Sequence, residues 1–112
     1  MSNISEYISK AVELGKINGF GLNNDTVKRN NSLAKELRAL AQVIEEDGEE
    51  KQEFFDLLDH ENDSVRIWCA HHILELMTYD PMTESRALNE ITLRSKTNIG
   101  EKIWLDNWKK KH

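Results

Sequence analysis

The chain carries a single cysteine, Cys69, a single proline, Pro81, and five glycines among its 112 residues. One cysteine rules out an intrachain disulfide, which suits a reducing cytoplasm and makes a cytoplasmic protein the expectation. So few chain breakers argue against low-complexity disorder. No apolar run approaches the roughly 18 residues that a membrane span needs, so no membrane partner is expected. The first sixteen residues interleave Glu6, Lys10 and Glu13 with their apolar positions and lack the continuous apolar stretch of a signal peptide. No stretch alternates apolar and polar residues for long enough to make a strand. A glycine-rich phosphate loop is missing too, because Gly19 and Gly21 alone are too sparse to form one.

What is present is ordinary in amount and uneven in placement. Charged residues make up 31% and hydrophobic ones 38%, a soluble composition, and the length corresponds to one domain over residues 1–112. That length buries a core without help from disulfides or metals. The net charge is −5, but residues 31–63 hold eleven acids and three bases, a local −8, while 1–30 and 64–112 are slightly basic. Phosphates would be repelled by that middle segment, so nucleic acid is not expected as a ligand. A basic protein partner would suit it. The residues concerned are Glu45, Glu46, Asp47, Glu49, Glu50, Glu53 and Asp56; the plainer reading is a solvated acidic loop.

Periodicity and capping residues predict about six helices. Asn3 and Glu6 have capping-box spacing, and Ile4, Tyr7, Ile8, Ala11 and Val12 follow with helical spacing until Gly15, Gly19 and Gly21 end the pattern around residues 18–24. Leu33, Leu37, Leu40, Ala41 and Ile44 form one stripe over 31–46, with Asp25 as an earlier candidate start, and Asp47-Gly48 gives a stop. A short helix over 49–58 ends in Phe54, Phe55, Leu57 and Leu58. Asp63 is a candidate cap for a helix over 64–77, whose stripe of Val65, Trp68, Cys69, His72 and Leu76 is widened by Ile67, Ile73 and Leu74, predicting a central helix buried on more than one side. Asp80-Pro81 opens a fifth helix to about 93 through Ala87, Leu88 and Ile91. Asn98 and Glu101 repeat the capping-box spacing before Ile103, Trp104, Leu105 and Trp108, and Lys109, Lys110 and Lys111 suit a helix C-terminus. Six amphipathic helices joined by short turns form either a bundle or a stack of helical hairpins.

The run Leu57-Leu58-Asp59-His60-Glu61-Asn62-Asp63-Ser64-Val65-Arg66 bears on that choice. It closes a helix on a Leu-Leu pair, makes a polar turn, and opens the next helix on Val-Arg. It resembles the turn between HEAT-type repeats, in which an Asp and an Arg form a polar ladder between neighbouring hairpins. Here Asp63 and Arg66 stand in those positions, although His71 and His72 interrupt the aliphatic pattern that follows. Over about residues 29–91 the chain resembles a small bacterial family, domain of unknown function 2019, through Arg29-Asn30-Asn31, Leu57-Leu58-Asp59-His60, Val65-Arg66, Ala70 and Leu74. The resemblance implies an all-α fold, a short right-handed stack of antiparallel hairpins forming a HEAT-like superhelix. It also implies a likeness to immunity proteins encoded beside bacterial toxins.

No constellation of catalytic, cofactor or metal-ligating residues stands out. Cys69 and His72 are one helical turn apart, but no second pair accompanies them, and His60-Glu61 meets Ser64 where a second histidine of a zinc motif would stand. His72 reads as a hydrogen-bonded histidine at the core edge and His71 as a surface one. Cys69 sits on the apolar stripe and reads as a packing residue, not as a nucleophile. The acid pairs Glu45/Glu49 and Asp59/Asp63 have nothing to set their separation for acid–base work. Trp68 falls on the core stripe. Trp104 and Trp108, one turn apart, read as closing the last hairpin, with a partner contact as the other reading. The expectation is therefore a non-catalytic, cofactor-free protein-binding module. Within that class, an immunity-type protein would neutralise a basic toxin domain through its acidic surface; a general HEAT-like scaffold or regulatory protein is the alternative. The exposed ends of so short a stack predict a monomer or weak homodimer.

Overall fold

The computed structural model describes residues 2–18 and 24–111. Six helices follow in order: α1 (Asn3–Asn18), α2 (Asn24–Glu45), α3 (Gly48–Asp56), α4 (Asp63–Leu76), α5 (Pro81–Ser95) and α6 (Ile99–Lys111). A 3-10 turn, Leu57–Asp59, extends α3 toward α4. Among the described residues there is no strand. No helix among them is long and apolar enough to cross a membrane. Glycines 19 and 21, expected to break the chain after α1, lie outside the described residues.

The fold is an all-α stack of helical hairpins. Helix α1 lies along α2, α4 along α5 and α5 along α6, and α1 also packs on α4. The predicted stripes are the packing faces: Leu33, Leu37, Ala41 and Ile44 of α2 are fully buried. So are Tyr7 and Ala11 of α1, and Leu14, which the stripe reading left out, joins them. Burying one such leucine or isoleucine contributes about 1.5–3 kcal/mol, far more than the intrinsic helix preference of one residue. Val65, Ile67, Cys69, Ala70, Ile73 and Leu74 are all buried, so α4 is covered on several sides as its broad apolar surface predicted. Ile103, placed on the apolar stripe of α6, is instead 55% exposed.

Helix starts match the expected positions more closely than the expected capping residues. Asp47 caps α3 and Asp80 caps α5, the latter accepting from the Thr83 amide at 2.7 Å ahead of Pro81. At α1 the capping box of Asn3 and Glu6 does not form: Ser2 Oγ accepts from the Ser5 amide, and the Asn3 amide group donates to Glu50. At α4 the cap is Asn62, which accepts from the Ser64 and Val65 amides, and not Asp63. Asp63 stands one residue later, where its carboxylate takes a bond from Arg66. Arg66 then does what the turn suggested. It donates to the His60 carbonyl at 2.7 Å and to Glu90 of α5 at 3.0 Å, while Arg86 of α5 reaches Asp59. These bonds tie the turn 57–66 to the next hairpin.

Helix α1 reaches Asn18, where the break expected around residues 18–24 begins, and inside the helix lies Gly15. Its missing side chain allows a close helix crossing: a Cβ built there would lie 2.8 Å from Ser64 Cβ. At the same crossing Ser64 Oγ donates to the Ala11 carbonyl at 2.6 Å. Helix preference favours alanine over glycine by about 1 kcal/mol, but overpacking against a fixed Cβ costs about 1–3 kcal/mol. Gly15→Ala is therefore expected to lower urea-unfolding stability by about 1 kcal/mol. Gly48→Ala, at the start of α3 with nothing within 4 Å, is expected to raise it by about 0.5 kcal/mol. A Gly15→Ala variant more stable than the parent would refute the tight crossing.

Candidate functional site

The acidic segment divides into residues with structural duties and residues without. Glu45 accepts from Lys51 at 3.1 Å and from the Thr78 hydroxyl at 3.0 Å, linking the end of α2 to the turn before α5. Burial works against the Glu45 carboxylate, but those bonds outweigh it and hold its pKa below the usual value. Asp47 is the α3 cap, and Glu50 holds Asn3. Glu46, Glu49, Glu53 and Asp56 are exposed. Among the described residues none of these four has an ion-pair partner. Glu49, Glu53 and Asp56 stand at i, i+4 and i+7, so they share one face of α3.

The two adjacent histidines of α4 point to different environments. His72 is buried, and its Nδ1 meets the Tyr7 hydroxyl at 2.6 Å. Tyr7 is itself fully buried and packs edge-on against Phe54 at 4.8 Å. Burial pushes the His72 pKa down to about 4, so the ring is neutral, and an imidazole with its proton on Nε2 accepts the phenolic hydrogen. Burial likewise raises the Tyr7 pKa, which keeps that hydrogen in place.

His71 was expected at the surface, yet its side chain is only 15% exposed. Nε2 lies 2.5 Å from Glu101 of α6 and Nδ1 3.5 Å from Glu75 of its own helix. Burial alone would lower its pKa; bonds to Glu101 and Glu75, and their charges, outweigh burial and raise it to about 9. The bond from His71 in turn lowers the Glu75 pKa. The Trp104 ring stands perpendicular to the imidazole at 4.5 Å, and Trp108 stacks on Trp104 at 5.4 Å. A cation at that distance from an indole is within cation–π range. The two tryptophans thus close α6 onto the stack, as one of their two readings held.

A cleft of about 560 Å³ opens beside this cluster, lined by Lys35 and Arg38 of α2, Trp68 and His71 of α4 and Arg94 of α5, among others. Trp68, read as core, is only partly buried and lies along the cleft. Cys69 is fully buried, donates to the Phe54 carbonyl at 3.2 Å, and has its thiol pKa pushed well up by burial. Among the described residues no group of three or more His, Cys, Asp or Glu side chains is arranged to hold a metal ion. Of the acid pairs weighed from sequence, Asp59 is bound by Arg86, Asp63 by Arg66 and Glu45 by Lys51. Sequence reasoning missed the partners of both histidines. Glu75, four residues after His71 on the same helix, was a legible signal; Tyr7 and Glu101 are distant in the chain and gave none.

The opposite shifts of the two histidines set an expected pH profile. Each titrates near 6.5 when unfolded. Between pH 6.5 and about 9 the folded chain keeps a proton on His71 that the unfolded chain has released, so stability falls as pH rises. Between pH 6.5 and about 4 the unfolded chain binds a proton at His72 that the folded chain refuses, so stability falls as pH drops. The lowered carboxylates Glu45, Glu75 and Asp80 steepen the acid side further. Urea unfolding is expected to show maximal stability near pH 6.5, with losses of roughly 2–3 kcal/mol toward either end. His71→Gln should flatten the alkaline side and, by releasing Glu75, soften the acid side as well. An NMR titration placing His71 at an ordinary pKa would contradict this account.

Set against protein-family models, curated proteins and solved structures, the chain has no significant match to any of the three, which leaves its own residues to carry the functional reading.

Proposed function

We propose that this chain is a non-catalytic protein-binding module of the immunity type, which binds a cognate toxin and neutralises it by covering a basic cleft. The observation that carries this reading is the uncompensated acidic stripe of Glu49, Glu53 and Asp56 on α3, continued by Glu46. Like charges one turn apart on a helix cost about 0.2–0.5 kcal/mol per pair, so the stripe is a liability to the free protein. Asp56 adds to it, because α3 has no basic residue in its last turn to balance the backbone dipole. A partner bringing lysines or arginines removes that repulsion, speeds encounter by long-range attraction and disfavours acidic competitors. The turn 57–66, with its HEAT-like ladder around Arg66, supports the module reading by placing α3 on a rigid frame.

The test is kinetic. The triple variant Glu46→Lys, Glu49→Lys, Glu53→Lys leaves the residues that hold the fold untouched. With the product of the neighbouring gene as the partner, its association rate is expected to fall on the order of tenfold or more and to lose most of its salt dependence. Its urea stability should change by no more than about 1 kcal/mol, because the relieved repulsion is offset by the loss of Glu49 from the first turn of α3, where an acid suits the backbone dipole. An unchanged association rate would remove the acidic stripe from the mechanism. A partner with no toxic activity would turn the reading to a scaffold or regulatory protein.

A further inference from the structure

We propose that the cleft between α2 and α4 is a binding site for a small planar organic anion, a ring carrying a carboxylate or phosphate group. The site shares no residue with the acidic stripe and stands independently of the toxin-binding reading. Its volume of about 560 Å³ is that of a ligand pocket for a molecule of modest size.

The charge of the cleft runs against that of the chain. The molecule carries −5, yet three basic side chains, Lys35, Arg38 and Arg94, line this one depression. The two acids that also line it, Glu75 and Glu101, are engaged by His71. Protonated His71 and its two carboxylates together leave one negative charge, so the lining as a whole is about two charges positive. Among the described residues Lys35 and Arg38 form no direct ion pair, although the charge of Arg38 helps His71 to lower the pKa of Glu75. Arg94 has only a 3.9 Å approach to Asp63.

The planarity follows from Trp68. This ring is partly buried, braced on its own helix by His72 at 5.7 Å, and lines the cleft beside the basic groups. An indole held in place offers a flat apolar surface, and a guanidinium offers a fork matched to carboxylate or phosphate oxygens. A cationic ligand would be repelled by Lys35 and Arg38. A purely apolar one would take those charges partly out of water without return.

The experiment uses the full chain and three probes of one ring size: benzoate, phenyl phosphate and the uncharged benzamide. Binding is read by calorimetry and by ¹H–¹⁵N NMR, including the Trp68 indole N–H. At least one of the two anions is expected to saturate with a Kd of about 1 mM or tighter, and which one identifies the acid group preferred. Benzamide should bind at least about tenfold more weakly. Lys35→Ala/Arg38→Ala should weaken the anion by at least about tenfold with an unchanged melting profile, since both residues are exposed. Failure of both anions to saturate, benzamide binding as tightly as the preferred anion, or unchanged affinity in the double variant would each overturn the proposal.

Discussion

Helix α4 is covered on several sides, and every polar group it carries inward must find a partner inside the protein. Ser64, His72 and Cys69 meet that demand through two neighbouring helices: the Ala11 carbonyl and the Tyr7 hydroxyl of α1, and the Phe54 carbonyl of α3. An unpaired buried polar group costs about 1–3 kcal/mol, so these bonds dictate how neighbouring helices sit on α4. The closeness of α1, permitted by Gly15, follows from the same demand. A bundle held by apolar contacts alone would tolerate sliding; three hydrogen bonds of fixed direction do not.

The adjacent histidines show how little sequence distance says about electrostatic surroundings. His72 faces Tyr7, Trp68 and the core, and stays neutral. His71, one residue earlier on the helix, faces two carboxylates and an indole, and stays charged. One helix therefore holds α1 with a neutral imidazole and α6 with a cationic one. Because the first is lost in acid below about pH 4 and the second in base above about pH 9, both links hold across the range between, and their joint contribution to stability peaks near pH 6.5.

Charge is likewise divided between two faces. Among the described residues the acidic stripe of α3 has no ion-pair partner, while the cleft beside α4 gathers Lys35 and Arg38 of α2, which form no direct ion pair, with Arg94 of α5. The net charge of −5 conceals this separation. Each face is suited to a ligand that the other would repel, which is why the protein-binding reading and the small-anion site do not compete for the same surface.

The sequence by itself determined the helices, their order, most of their starts and the stripes that became the core. These depend on spacing within one segment, on an Asp before Pro81 or a leucine every turn of α2, and such local signals are complete before the chain folds. Tertiary structure decided what depends on distant residues. It chose Asn62 over Asp63 as the α4 cap, because Arg66 draws the Asp63 carboxylate away and itself reaches Glu90. It gave Gly15, read from sequence only as part of the break after α1, a place at a helix crossing, and it turned an expected surface His71 into a charged link to α6. It also sorted the seven acids of the middle segment into Glu45, Asp47 and Glu50, which hold the fold, and Glu46, Glu49, Glu53 and Asp56, which are free. A carboxylate looks the same in sequence whether or not a lysine from another element will reach it; only the packed chain brings that lysine within hydrogen-bond range.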